Sequence, residues 1–143
     1  MAAQRPLLPL LAEAKELVAS ELHRRLHEEG YDEIRPAHGC VFRFIEPEGT
    51  RLTVLADQSG FTKQAVGEVA DDLERLGYVE RSADPEDGRA KLIRLTDRGA
   101  ESRAAGVRIM GEIEAEWGER LGEDAVATLR EVLEAVTGNR VPA

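Results

Sequence analysis

Lys63, Gln64 and Glu68 fall within two turns of one helical pattern and share its polar side with Gly67 and Asp71. Lysine and glutamine there can donate to base edges or phosphates, and a carboxylate can accept from the N4 amine of cytosine. A second cluster stands on a turn. Asp84-Pro85-Glu86-Asp87-Gly88-Arg89 is dense in turn formers. An arginine on such a tip can enter a minor groove, where the negative potential is strong. Asp87 can aim it through a bidentate pair. Arg81 and Lys91, on the strand-like runs beside the turn, add two more cations. The chemistry on offer is contact with double-stranded DNA. Thr62, Lys63, Gln64, Gly67, Glu68, Arg81, Asp87, Arg89 and Lys91 are its candidate residues.

Other chemistries find fewer parts. No Gly-x-Ser-x-Gly elbow, phosphate-binding loop or His-Glu-x-x-His occurs, so no enzyme is expected. His23 and His27 are spaced i, i+4, which puts both on one helical face as a zinc pair requires, with Glu13 or Glu16 near them. Surface histidines without metal are the plainer reading, and no metal or cofactor is expected. Cys40 is the single cysteine. It excludes an intramolecular disulfide and reads as a small buried hydrophobe in a cytoplasmic protein.

The elements that must position these residues are mostly helices. Phe61, Ala65, Val66, Val69, Leu73 and Leu76 recur at helical spacing and give one apolar face. Thr62 suits the N-cap, and Gly77 is a helix stop. The residues from Thr50 to Ala56 predict a short preceding helix, and Gln58-Ser59-Gly60 its turn. Tyr78-Val79-Glu80-Arg81 alternates as a half-buried strand does, and Lys91-Leu92-Ile93-Arg94-Leu95 reads as its hairpin partner. This order is that of a winged helix-turn-helix, which places one helix in the major groove.

Amphipathic helices flank the module. One follows Leu8, Leu11, Val18 and Leu22 and ends at Gly30. Arg35-Pro36 opens another through Val41, Phe42 and Ile45, stopping before Pro47. A long helix from Thr96 to Trp117 carries Val107, Met110, Ile113 and Trp117 on one face, until Gly118 and Gly122 interrupt it. The last runs from Glu123 to Thr137. The fold expected is mainly α with a small β-hairpin wing. Residues 1–34 and 99–143 supply dimerisation helices, and residues 35–98 the winged module.

Composition sets limits on this reading. One domain is the expectation for 143 residues, with a core of Leu, Val and Ala because aromatic residues make up only 4%. No apolar run reaches the ~18 residues of a transmembrane helix, and the prolines at 6 and 9 spoil a signal peptide. Net charge is −9, whereas a DNA-binding domain usually carries a basic footprint. Residues 51–98 hold 8 basic and 10 acidic residues, against 11 and 18 in the remainder. The module is thus less acidic than its surroundings without being basic. DNA affinity must come from local placement of Lys63, Arg81, Arg89, Lys91 and Arg94, and must fall with salt.

Three runs in combination carry a resemblance. They are Phe61-Thr62-Lys63-Gln64-Ala65-Val66-Gly67, then Leu73-Glu74-Arg75-Leu76-Gly77-Tyr78-Val79, then Asp84 to Lys91 with the exit Leu95-Thr96-Asp97-Arg98-Gly99. Over about 45 residues the chain resembles the MarR family of bacterial transcription regulators. The resemblance implies a DNA-binding repressor, homodimeric through its first and last helices, on a palindromic operator. It also implies a small-molecule effector in a pocket near the junction of the helical and winged parts. Tyr31, His38, Phe42, Met110 and Trp117 are the candidate lining. Two rivals stay open: a winged-helix protein-interaction module that has lost DNA binding, and a metal-responsive regulator built on His23 and His27.

Overall fold

A computed structural model describes residues 3–138. The tail 139–143, whose order the sequence leaves open, lies outside the described residues. Six α-helices and a three-stranded antiparallel sheet follow one another: α1 (Leu7–Glu28), a 3-10 turn (Pro36–His38), α2 (Gly39–Phe42), β1 (Thr50–Arg51), α3 (Leu52–Ser59), α4 (Lys63–Arg75), β2 (Val79–Ala83), β3 (Lys91–Leu95), α5 (Asp97–Leu121) and α6 (Glu123–Thr137). The chain gathers into two compact units that divide between Gly106 and Val107.

In the first unit, α4 owes its ends to its sequence. The Thr62 hydroxyl accepts the Ala65 N–H at 3.0 Å, satisfying one free donor of the first turn. At the other end Gly77 takes φ +88°, and the Tyr78 N–H returns to the Leu73 carbonyl at 2.9 Å. That closure needs a left-handed residue, which glycine supplies without strain. Val66, Ala70 and Leu73 are buried along one side and join Leu55 and Ala56 of α3, Val41, Ile45, Tyr78, Val79 and Ile93 in the core. Phe61 departs from the expected apolar face. It precedes the N-cap, is not part of the helix, and stands 60% exposed.

Other boundaries differ from the expectation. Thr50 and Arg51 are not helical: they form β1 and pair with Ile93 and Leu92, so the wing is a three-stranded sheet in the order β1-β3-β2. The helix expected from Thr50 to Ala56 therefore starts at Leu52, and it runs through Ser59. β3 has its expected bounds, while β2 begins one residue later than expected and pairs Val79 with Leu95 through to Ala83 with Lys91. Pro36 does open the second helical segment, but as a 3-10 turn, and Ile45 lies beyond α2. Leu26 is the buried residue of α1, whereas Leu7, Leu8 and Leu17 are all at least 70% exposed.

α5 leaves the sheet through Thr96, whose hydroxyl accepts the Gly99 N–H at 3.1 Å and donates to the Gly77 carbonyl at 2.6 Å. It passes Gly118 unbroken, and the chain turns at Gly122 with φ +101°. Ile109 and Ile113 take its buried side, while Val107 is exposed, because buried positions recur every fourth residue here and residue 107 faces away from that row. In the second unit the Arg130 guanidinium of α6 pairs with Glu114 of α5. α6 has no buried residue, and Leu129, Val132, Leu133 and Val136 are exposed.

Candidate nucleic-acid interface

The start of α4 presents Thr62, Lys63 and Gln64 exposed to solvent, with Phe61 beside them. The Phe61 N–H donates to the Ser59 hydroxyl at 3.3 Å, which ties the turn before the cap. Gly67 is half-buried towards α3. A Cβ on it would sit 3.6 Å from Leu52 Cδ2, an ordinary contact, so an alanine fits there.

The acids of α4 are mostly spoken for. Arg81 reaches from β2 to Asp71 at 2.8 Å and Glu74 at 2.9 Å. The structure thus places this candidate DNA contact in internal ion pairs. Asp72 accepts from His38 at 2.8 Å and pairs with Arg75. The hydrogen bond from His38, then that from Arg75, hold its carboxyl below the usual carboxylate range. Glu68 is exposed and has no partner among the described residues.

The wing has an internal scaffold that sequence reasoning missed. Asp84 is buried at the end of β2. One carboxylate oxygen accepts the Glu86 N–H at 2.9 Å, and the other takes two contacts from Arg51, at 2.7 and 2.5 Å. The backbone donor first, and Arg51 second, lower its pKa. Asp84 and Ala90 close the loop backbone at 3.0 Å. Asp87 does not make the expected side-chain pair with Arg89: its carboxylate accepts the Arg89 backbone N–H at 3.1 Å. The tip is therefore ordered through the main chain. The Arg89 guanidinium has no ion-pair partner among the described residues, and both Arg89 and Lys91 are exposed.

The five candidate pocket residues do different jobs. His38 is 3% exposed; the Arg35 N–H donates to Nδ1 at 3.0 Å, so Nε2 carries the proton given to Asp72. It anchors the 3-10 turn to α4. Phe42 meets the Tyr78 ring edge-on at 6.2 Å. Tyr31 lies under the Arg98 guanidinium, which also covers Tyr78. Met110 and Trp117 belong to the second unit. An open cleft of about 520 Å³ in the first unit is lined by Gly77, Glu80 and residues 94–98.

Among the described residues no group of three or more His, Cys, Asp or Glu side chains is disposed to hold a metal. His27 Nε2 lies 3.3 Å from the Ile34 carbonyl, and Glu13 pairs with Arg5 at 2.6 Å. His23 Nδ1 is buried without a partner among the described residues, and burial followed by the neighbouring His27 lowers the His23 pKa. Cys40 is half-buried rather than buried. Its thiol donates to the Ala37 carbonyl at 3.5 Å, and burial raises its pKa.

Comparison with known proteins gives this geometry a context. Residues 34–90 match the model of the MarR family. The HTH-type transcriptional regulator YdcH of Bacillus subtilis (strain 168) is 33% identical over 75 residues, which cover 52% of this chain and 51% of that protein. The chain thus spans about half the length of the curated relative it matches. A MarR-family transcriptional regulator from Rhodococcus sp. RHA1 shares the fold with a TM-score of 0.70 at 23% identity, over 89% of each chain. CouR from Rhodococcus jostii RHA1, bound to p-coumaroyl-CoA, does so with a TM-score of 0.69 at 24% identity, over 89% of this chain and 88% of that one. The fold is that of a winged helix. Among the described residues no helix is long and apolar enough to cross a membrane.

Proposed function

We propose that this chain is a member of the MarR family, whose model matches residues 34–90 and whose fold it shares, and that it is a sequence-specific DNA-binding regulator. It acts in the cytoplasm as a homodimer on a palindromic operator, as a repressor that a small ligand releases. One observation carries the DNA reading: exposed, uncompensated donors stand at both ends of the module, Lys63 and Gln64 on α4 and Arg89 and Lys91 on the wing, while three of the four acids of α4 are paired within the chain. The net charge of −9 is therefore no measure of the surface that meets DNA.

On this reading α4 enters the major groove. Thr62 contacts a phosphate through its hydroxyl and backbone, and Lys63 and Gln64 reach bases or phosphates. Arg89 occupies the flanking minor groove, while Asp87 orders the tip and Arg81 positions α4 on β2. Exposed leucines and valines on α1 and α6 want an apolar partner, and a second copy of the chain supplies one. A ligand that favours a dimer with the wrong separation between its two α4 helices lowers affinity by population shift. CouR, bound to p-coumaroyl-CoA, is a precedent for a ligand on this fold.

Selection from a randomised duplex pool at two salt concentrations tests the proposal. A palindrome with half-sites about one helical turn apart, ~34 Å, and affinity that falls linearly in log salt is the expected result. A folded dimer that recovers no duplex would favour the protein-interaction reading, for which the acidic surface is the supporting observation.

A further inference from the structure

Glu68 is the acid of α4 that the fold leaves uncompensated. Arg81 takes Asp71 and Glu74, and His38 and Arg75 take Asp72. Glu68 is exposed, has no partner among the described residues, and follows Gln64 by one helical turn, so the two share a face.

A bare carboxylate beside a duplex repels every phosphate it faces. It gains only where it meets a base amine. The major groove offers two such donors, N6 of adenine and N4 of cytosine. The adenine amine is flanked by acceptors on both sides, N7 of its own ring and O4 of thymine, and these repel a carboxylate. The cytosine amine has an acceptor on one side only, O6 of its guanine partner. The side towards its own ring edge is open, and cytosine is the base that suits an anion.

We propose that Glu68 is a specificity-determining residue that accepts a hydrogen bond from cytosine N4 in each half-site. The inference rests on the DNA-reading function above. Lys63 and Lys91 at phosphates and Arg89 in the minor groove supply the affinity, and Glu68 lowers it on every sequence that lacks the cytosine. An acidic residue on a recognition helix thereby acts as a filter against non-specific binding.

The experiment runs pool selection on the full chain with the wild type, Glu68→Ala and Glu68→Gln, and measures affinity for an unselected duplex alongside. The wild type should return a motif with a fixed cytosine in each half-site. Glu68→Ala should return the same motif with that position degenerate, a loss of about tenfold in discrimination. It should also bind the unselected duplex more tightly, because a like charge is gone. Glu68→Gln should move the preference towards adenine, whose N6 and N7 suit an amide. Merely structural damage would weaken specific and unselected binding together, so the opposed signs are diagnostic. Wild-type motifs from both variants would overturn the inference and leave the DNA reading standing. A wild type that recovers no motif at all would overturn the DNA reading, and the inference with it.

Discussion

At the scale of single residues, what decides function is which charges remain unpaired. Arg81 and Arg89 look alike in the sequence, two cations of one hairpin, yet Arg81 is committed to Asp71 and Glu74 and Arg89 is free among the described residues. Arg89→Ala should therefore weaken binding to specific and random duplexes alike, with a salt slope smaller by about one and an unchanged melting temperature. Binding isotherms at several salt concentrations check it, and unchanged affinity would remove the wing from the interface. His38 shows why such roles escape sequence reading. Its partner Asp72 is 34 positions away, and periodicity carries no information on that pairing.

Tyr78 gives a second test at this scale, with a defined sign. Its ring is fully buried, its hydroxyl donates to Glu33 at 2.8 Å, and Arg98 donates to it at 3.1 Å. Burial first, and the Glu33 acceptor second, push its pKa up to about 12. A folded pKa above the unfolded value of ~10 means that folding favours the protonated phenol. The contribution is fully present below pH ~10 and is lost as pH climbs through about 12; a shift of ~2 units corresponds to ~2–3 kcal/mol. Denaturant unfolding between pH 9 and 12 should show this slope in the wild type and lack it in Tyr78→Phe. Equal slopes would mean that other groups govern the alkaline limit.

At the scale of elements, the sequence was most readable where a periodic run has a chemical stop. α4 lies between the Thr62 cap and Gly77, and β3 spans the run Lys91–Leu95 that reads as a hairpin partner. The misses have local causes. β1 is two residues long and flows straight into α3, so no alternation exists to detect. Gly118 was read as a break, but a glycine inside a helix costs only ~1 kcal/mol, and α5 continues to Leu121. The glycines of α5 make opposite predictions for one substitution. At Gly99 an added Cβ would lie 2.0 Å from the Tyr78 carbonyl oxygen. Backbone cannot yield cheaply there, so Gly99→Ala should destabilise by several kcal/mol and displace α5 from the sheet. At Gly111 nothing lies within 4 Å, and Gly111→Ala should stabilise by ~0.5–1 kcal/mol through helix propensity. Thermal and denaturant melts of both variants check the pair. A tolerant Gly99→Ala would show that the close approach of α5 to the Tyr78 carbonyl is adjustable.

At the scale of the whole molecule, the open question in the sequence is what its terminal helices cover. The apolar periodicity of α6 is plain from residue types, but periodicity cannot say whether the partner is the same chain or a copy. The second unit, taken by itself, buries no residue of α6. Leu129 and Leu133 are spaced i, i+4 and share one exposed side, with Val132 and Val136 beside it. If that stripe is the dimer seam, a charge there must be desolvated on association, and two copies place like charges together. Leu129→Glu with Leu133→Glu should therefore halve the sedimenting mass to that of the 15.7 kDa chain, with far-UV dichroism unchanged because both positions are already exposed. DNA binding should fall with it, although no side chain of α4 or the wing is altered. A dimer engages its second half-site intramolecularly, at an effective concentration near millimolar, and losing that linkage costs about 10²–10⁴ in operator affinity. Binding to an isolated half-site should stay the same. A variant that remains dimeric would move the seam away from α6. A variant that becomes monomeric yet keeps full operator affinity would mean that each winged module reads its site alone.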